Sequence, residues 1–324
     1  MSDSVPTSTA TIRRPAIAAL LRWFDTGQAD TSATAGDPID WLRVAPFIGM
    51  HLACLGVLWV GVSATALWVA LASYALRMFA ITAFYHRYFS HRAFRTSRPM
   101  QFVFGLLGAS CVQRGPLWWA ARHRHHHRHA DTALDVHSPR HLGFWRSHMG
   151  WFMTRGAFRT NESAVPDLAR YPELRWLDRY DLIVPVLYAG ALFALGAWLG
   201  RAYPALGTSG PQLLVWGFFI STIVLFHVSV SINSLAHQWG TRRYATRDDS
   251  RNNALLAVLT FGEGWHNNHH HFPGSARQGV RWWEVDLSFY LLKAMAAVGL
   301  VWDLKSMPVH MREARRAEPC PTEA

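Results

Sequence analysis

The chain has 324 residues, of which 50% are hydrophobic and only 16% charged, with a formal net charge of +11; a typical soluble domain is roughly 25% charged. This balance, with 16 Trp and 18 Phe, speaks against a soluble protein or a disordered regulator. Three cysteines (Cys54, Cys111, Cys320) with no CxxC leave no basis for a disulfide framework, a zinc ribbon or a cysteine-ligated iron–sulfur cluster.

In chain order, residues 1–10 are rich in Ser, Thr and Ala and read as disordered. Residues 12–24 carry Arg13, Arg14 and Arg22 beside apolar residues, as a surface-lying helix would. Residues 44–84 then contain one charge, Arg77. At 1.5 Å per residue they make about 61 Å of helix, enough for two membrane crossings. Gly61, Val62 and Ser63 form the natural tip between spans at 44–60 and 63–84. A charge at mid-bilayer costs roughly 2.5–3.5 kcal/mol, so Arg77 is expected near the interface, with its helix continuing into water. Residues 102–110 are apolar but too short to span and read as interfacial or buried. A second pair of spans follows at 182–199 and 213–232, separated by the breaker run 207–211. The expected fold is all-α and integral to the membrane: four transmembrane helices in two hairpins. The chain divides into an N-terminal segment (1–43), a membrane domain (44–303) and a charged tail (304–324).

Orientation follows from the arginines. The tip at 61–63 has none and the connection 200–210 only Arg201, whereas both flanks and the segment between the pairs are Arg-rich. Both termini and the middle segment are thus expected in the cytoplasm. This asymmetry accounts for the net charge without nucleic acid, and nothing in the chain resembles a groove-reading module.

The histidines fall on that same side. His86 and His91 follow the second span in HRYFSH, and His123, His126 and His127 lie in HRHHHRH. His237 ends the fourth span in NSLAH, and His266, His269 and His270 lie in HNNHHHFP. Positions i, i+3 and i+4 share a helix face, so each trio can converge on one point. His86 and His91, at i and i+5, stand about 140° apart on an ideal helix; a distorted helix end or two adjacent ions would be needed to use both. Imidazole suits Zn, Cu, Fe and Ni alike. Nine ligands are too many for one ion, and two fit better. His125, His129 and His271 read as extras, and His51 as a packed or hydrogen-bonded residue. A metal transporter would place its ligands near mid-membrane; here eight of the nine lie outside the spans.

HRYFSH, HRHHH, NSLAH and HNNHHH, in this order around two apolar pairs, resemble the membrane fatty-acyl desaturases of the acyl-CoA type. DVHSP at 135–139, GFWRSHMGW at 143–151 and GEGWHNNHHHFP at 262–273 extend the resemblance over most of the chain, from about 48 to 303. It implies four transmembrane helices under a cytoplasmic cap holding two iron ions. The ligands would be His86, His91, His123, His126, His127, His237, His266, His269 and His270, with Asn233 acting through water. The reaction implied is oxygen-dependent formation of a cis double bond in a fatty-acyl chain, with acyl-CoA as the first choice and position 9 the expected site. Gln113 and Trp119 correspond to the substrate-proximal region. His227 and Ser229, inside the fourth span, are candidates to line the inner tunnel, an interhelical hydrogen bond being the other role open to His227.

Ligand histidines need acceptors on their second nitrogen, and Asp131, Asp135 and Glu263 are placed to supply them. The resemblance departs at one point: animal acyl-CoA enzymes have Arg-Asp before the second box, the Arg helping to hold the carrier, where this chain has Ala121 and Arg122. No haem-binding HPGG or ferredoxin cysteines occur, so electrons are expected from a separate protein, a ferredoxin or a b-type cytochrome with its reductase. An acidic donor would suit the Arg-rich face. A hydroxylase on the same scaffold is the alternative activity. The preference for Arg over Lys hints at a GC-rich bacterial source and hence an inner-membrane home.

Overall fold

The computed structural model describes residues 23–28 and 38–314. The expectations for residues 1–10, for most of 12–24 and for the end of the tail lie outside the described residues. The described residues are mostly helical, and among them four helices are long and apolar enough to cross a membrane: α1 (Trp41–Val60), α2 (Ala64–Ser90), α7 (Ile183–Ala202) and α8 (Gly210–His237). Between them lie α3 (Arg98–Ala109), α4 (Pro116–His129), α5 (Pro139–His148) and α6 (Pro172–Arg179). After α8 come α9 (Ala254–Leu259), α10 (His266–His271) and α11 (Leu287–Ala297). The short antiparallel strands β1 (Arg95–Thr96) and β2 (Val301–Trp302) tie the segment after α2 to the segment after α11.

The turn between α1 and α2 is built from residues suited to it. Gly61 takes a positive φ of 64°, and the Ser63 hydroxyl caps α2 by accepting from the Ala66 amide at 3.1 Å. α8 is the central helix: α1, α2 and α7 all pack against it, and α1 makes its main contacts there rather than with α2.

Arg77 is enclosed by protein. It is 1% exposed and lies near the middle of α2. Nη1 donates to Thr222 Oγ1 at 2.6 Å and to Ser110 O at 3.3 Å, Nε to Ser73 O at 3.2 Å, and Nη2 to Ser221 Oγ. The guanidinium lies 5.1 Å over the Tyr188 ring. Hydroxyls, carbonyls and a ring face, mostly from neighbouring helices, take the place of water around the buried charge. The 102–110 stretch lies in α3 up to its C-cap Ser110, and Gln101, Phe104, Gly105, Gly108 and Ala109 of that helix are buried.

The last eleven residues of α2, Ala80–Ser90, form a π-helix and are all buried. Its wider turn bonds i to i+5, and the His91 amide donates to His86 O at 3.3 Å. Gly108 of α3 permits the close approach of this segment, since a Cβ there would stand 2.0 Å from the Tyr85 ring. Gly108→Ala is expected to cost about 1–3 kcal/mol by overpacking, read as a lower unfolding temperature in detergent.

The start of α4 is capped from outside. Gly115 offers no side chain, and the Trp118 amide instead donates to Asp178 Oδ1 of α6 at 2.8 Å. A Cβ on Gly115 would lie 2.3 Å from the Asp178 Cα, so glycine is needed for the approach. Burial, with Asp181 nearby, pushes the Asp178 carboxyl up to about 6 despite hydrogen bonds from Thr160 and Trp118. The folded carboxyl thus keeps its proton to higher pH than the unfolded one. Stability is full below the ordinary carboxylate range and declines as pH climbs towards 6, by on the order of 2–3 kcal/mol. Asp178→Asn is expected to flatten that slope between about pH 4 and pH 6, measured as the difference in unfolding temperature from the parent protein.

Candidate metal centre

Four segments meet at one end of α2 and α8: the π-helical end of α2, α4, the last turn of α8 and α10. They bring all nine histidines together in two groups. His86, His91, His123, His127 and His269 each present a ring nitrogen, all within 4.8 Å of one another; so do His126, His237, His266 and His270. The HxxHH trios are split between the groups, two of each trio to one side and one to the other, with His123 and His127 facing His269, and His126 facing His266 and His270. The π-helix resolves the i,i+5 difficulty, because its period brings His86 and His91 to one face; their Nε2 atoms are 3.1 Å apart.

The hydrogen bonds around the rings fix which nitrogen faces inward. His126 Nδ1 donates to Asp135 at 3.0 Å, His237 Nδ1 to Asp131 at 2.7 Å and His270 Nδ1 to Asp248 at 2.8 Å. His86 Nδ1 pairs with Glu263. A carboxylate only accepts, so each Nδ1 carries hydrogen and each Nε2 of a neutral ring points a lone pair at its neighbours. His86 Nε2 lies 3.0 Å from His269 Nε2 as well as 3.1 Å from His91 Nε2. His91 Nε2 is also 2.8 Å from His123 Nε2, and His127 Nε2 is 3.0 Å from His269 Nε2. One lone pair cannot satisfy two such contacts. His270 Nε2 is buried with no hydrogen-bond partner at all. Converging lone pairs and an orphaned ring nitrogen are the arrangement that a bound cation relieves, so the residues present fit a pair of metal ions.

Electrostatics keep the rings in the ligating form. Burial and mutual repulsion hold His91, His123, His127, His266 and His269 well below the ordinary histidine range, and His270 is lowered to about 4. Asp131, Asp135 and Asp248 lie well below the usual carboxylate range, their burial outweighed by the imidazoles and donors they face. Burial pushes Glu263 up, but His86 and Arg87 bring it below its ordinary value.

An apolar cavity of about 230 Å³ runs against this cluster. His86, His123, His266 and Asn233 form part of its wall, with Gln113, Trp119 and Ser229 beside them. Gln113 donates to Ser229 Oγ at 2.7 Å, joining α8 to the approach to α4. Met78, Ile81 and Thr82 of α2 line one part, and Arg43, Phe47 and Phe152 another. His227 is elsewhere. Its ring is held between His51 and His148, each at 3.0 Å, and it is not among the residues lining the cavity. His51 also bonds Phe47 O at 2.8 Å. Among the remaining histidines, His125 bonds Leu134 O, His129 lies against His125, and His271 bonds Met311 O while stacked on Tyr244.

Several residues had no signal in the sequence. Asp248 lies in the loop after α8, eleven positions from the nearest histidine box. Arg87 and Asp286 form a buried ion pair at 2.9 Å, and Arg87 also reaches Glu263 at 3.1 Å. Arg124, inside the second box, donates to Phe89 O and Ser90 O, each at 2.9 Å, and so caps the end of the first. His137 of DVHSP packs 4.4 Å from the His126 ring and lines the cavity. The motif carrying it was visible, but its position was not.

Four helices fit to span a membrane, two imidazole clusters at one end of them and a greasy cavity against those clusters define a class of membrane protein whose all-nitrogen donor sets could hold metal. The model of the fatty acid desaturase family matches residues 41–303. A probable chloroplast lipid desaturase of Arabidopsis thaliana is 37% identical over 82% of this chain and 70% of its own length. An acyl-CoA C20 Delta5-desaturase of Anemone leveillei is 36% identical, covering 82% of each chain. An sn-2 palmitoyl-lipid 9-desaturase of a Nostoc species is 35% identical over 83% of this chain and 91% of its own. The chain belongs to the fatty acid desaturase family.

Proposed function

We propose that the protein is an oxygen-dependent fatty-acyl desaturase that holds two iron ions through its nine histidines and introduces a cis double bond. The observation that carries the reading is the convergence of nine inward-facing imidazoles, as a five and a four, on the wall of an apolar cavity. An unactivated methylene has no acidic proton for a general base to take, and an iron pair, when bound, supplies the activated dioxygen that such a bond requires. The chain's own groups do the rest. Asp131, Asp135 and Glu263 fix the tautomers and orientation of His237, His126 and His86, and Asn233 would serve one ion through water. The apolar cavity would receive the acyl chain away from bulk water, with Gln113 and Trp119 in its substrate-proximal part and Ser229 further in.

Acyl-CoA is the first substrate and position 9 the first site to test. Relatives named for acyl-CoA and for lipid-borne chains are both similar to this chain, and several of the latter are named for position 9. Electrons come from a separate carrier protein. The arginine distribution supports a cytoplasmic cap over two helical hairpins, with both termini on that side and a bacterial inner membrane as the home. Expression in a host without its own desaturase, followed by mass spectrometry of cellular fatty acids, tests the reading. New cis-monoenes are expected. A hydroxy-acyl product without an alkene would replace the proposal with the hydroxylase alternative.

A further inference from the structure

We propose that the two metal positions are electrostatically unequal, and that Asp248, with Asp131 and Asp135, makes the four-histidine position the one that keeps the higher charge when the pair takes up a single electron. The inference rests on the iron pair proposed above.

The two groups differ in what stands behind the rings. In the four-histidine group three of the four rings donate to a carboxylate: His126 to Asp135, His237 to Asp131 and His270 to Asp248. Among the described residues no arginine or lysine pairs with any of these carboxylates. They are held instead by neutral donors: Asp248 by the Ser250 amide at 3.0 Å, Asp131 by Ser138 Oγ at 2.7 Å and the Asp249 amide at 2.8 Å, and Asp135 by the Asp131 amide at 3.0 Å. In the five-histidine group His86 alone meets a carboxylate, and Arg87 stands 3.1 Å from that Glu263. Glu263, Arg87 and Asp286 together carry one net negative charge, against three for the aspartates.

Negative charge one imidazole away favours the more highly charged ion, both through space and by making the ring a stronger donor. A diferric pair that accepts one electron becomes one ferric and one ferrous ion. The electron comes from the carrier protein in the cell and from dithionite in a test. The five-histidine position should take it. Asp248 acts through His270, as a positioning residue.

The test uses the full chain in detergent, loaded with iron-57 and first analysed for metal. Fewer than two irons per chain in the parent protein would sink the iron-pair reading itself, separately from this inference. With two irons bound and one electron added per pair, Mössbauer spectra should resolve equal ferric and ferrous components. Asp248→Asn should alter the ferric component and shift its ferric-to-ferrous ratio at a fixed potential by tenfold or more towards ferrous. Glu263→Gln should alter the ferrous component. Asp135→Asn provides a second probe of the same sign should Asp248→Asn fail to fold. An electron shared equally in the parent protein, or an aspartate variant that alters the isomer shift and splitting of the parent's ferrous component alone or changes nothing, overturns the proposal.

Discussion

His126→Ala should abolish alkene formation, by at least about a thousandfold, and lower bound metal from two ions to about one, whereas His125→Ala should leave both near the parent level. The two residues are neighbours in HRHHHRH and make the same change in composition and charge. They differ in geometry. His126 is 2% exposed, donates to Asp135 and faces His237 and His270. His125 turns outward and bonds a loop carbonyl. Losing His126 also leaves Asp135 as a buried carboxylate without its main partner. Metal analysis together with fatty-acid profiling separates the two variants; equal effects of both would mean that the tract works by charge and not by ligation.

Arg87→Met should be the most destabilising single change at the rim of the site, costing about 3–5 kcal/mol. Arg87 is 1% exposed and joins Asp286, fully buried, to Glu263. It also donates to Ala276 O at 2.8 Å. Methionine fills much of the volume but leaves two carboxylates inside the protein with too few donors. Asp286 additionally caps α11 through the Phe289 amide at 3.0 Å and receives the Gln278 amide at 2.7 Å, so the damage would spread to the segment after α10. Thermal unfolding in detergent measures the loss. Adding Asp286→Asn to Arg87→Met should recover part of it, because one stranded charge is removed; a double variant no better than the single would show that packing and not charge carries the effect.

The spans could be read from the sequence because lipid demands an uninterrupted run of apolar helix, a local property of any 20-residue window. Those expected at 44–60, 63–84, 182–199 and 213–232 agree within a few residues at most ends with helices at Trp41–Val60, Ala64–Ser90, Ile183–Ala202 and Gly210–His237. The larger differences are at the metal-centre ends of α2 and α8, where helix continues past the apolar run to carry His86 and His237. The two HxxHH trios were legible for a similar reason, since i, i+3 and i+4 share a face on any regular helix.

Tertiary structure decided what depends on partners far away in the chain. The wide turn of Ala80–Ser90 brings His91 beside His86, and α3 and α4 packed against it hold it in that form. Arg77 can be buried with its charge hydrogen-bonded because Ser221 and Thr222, some 145 positions on, supply acceptors. Asp248 meets His270, and Arg87 meets Asp286, only once the loops have closed. Spacing along one helix is written in consecutive residues. The division of nine rings into five and four, and the charge behind each, arises from segments that share no local pattern and meet only because folding buries them together.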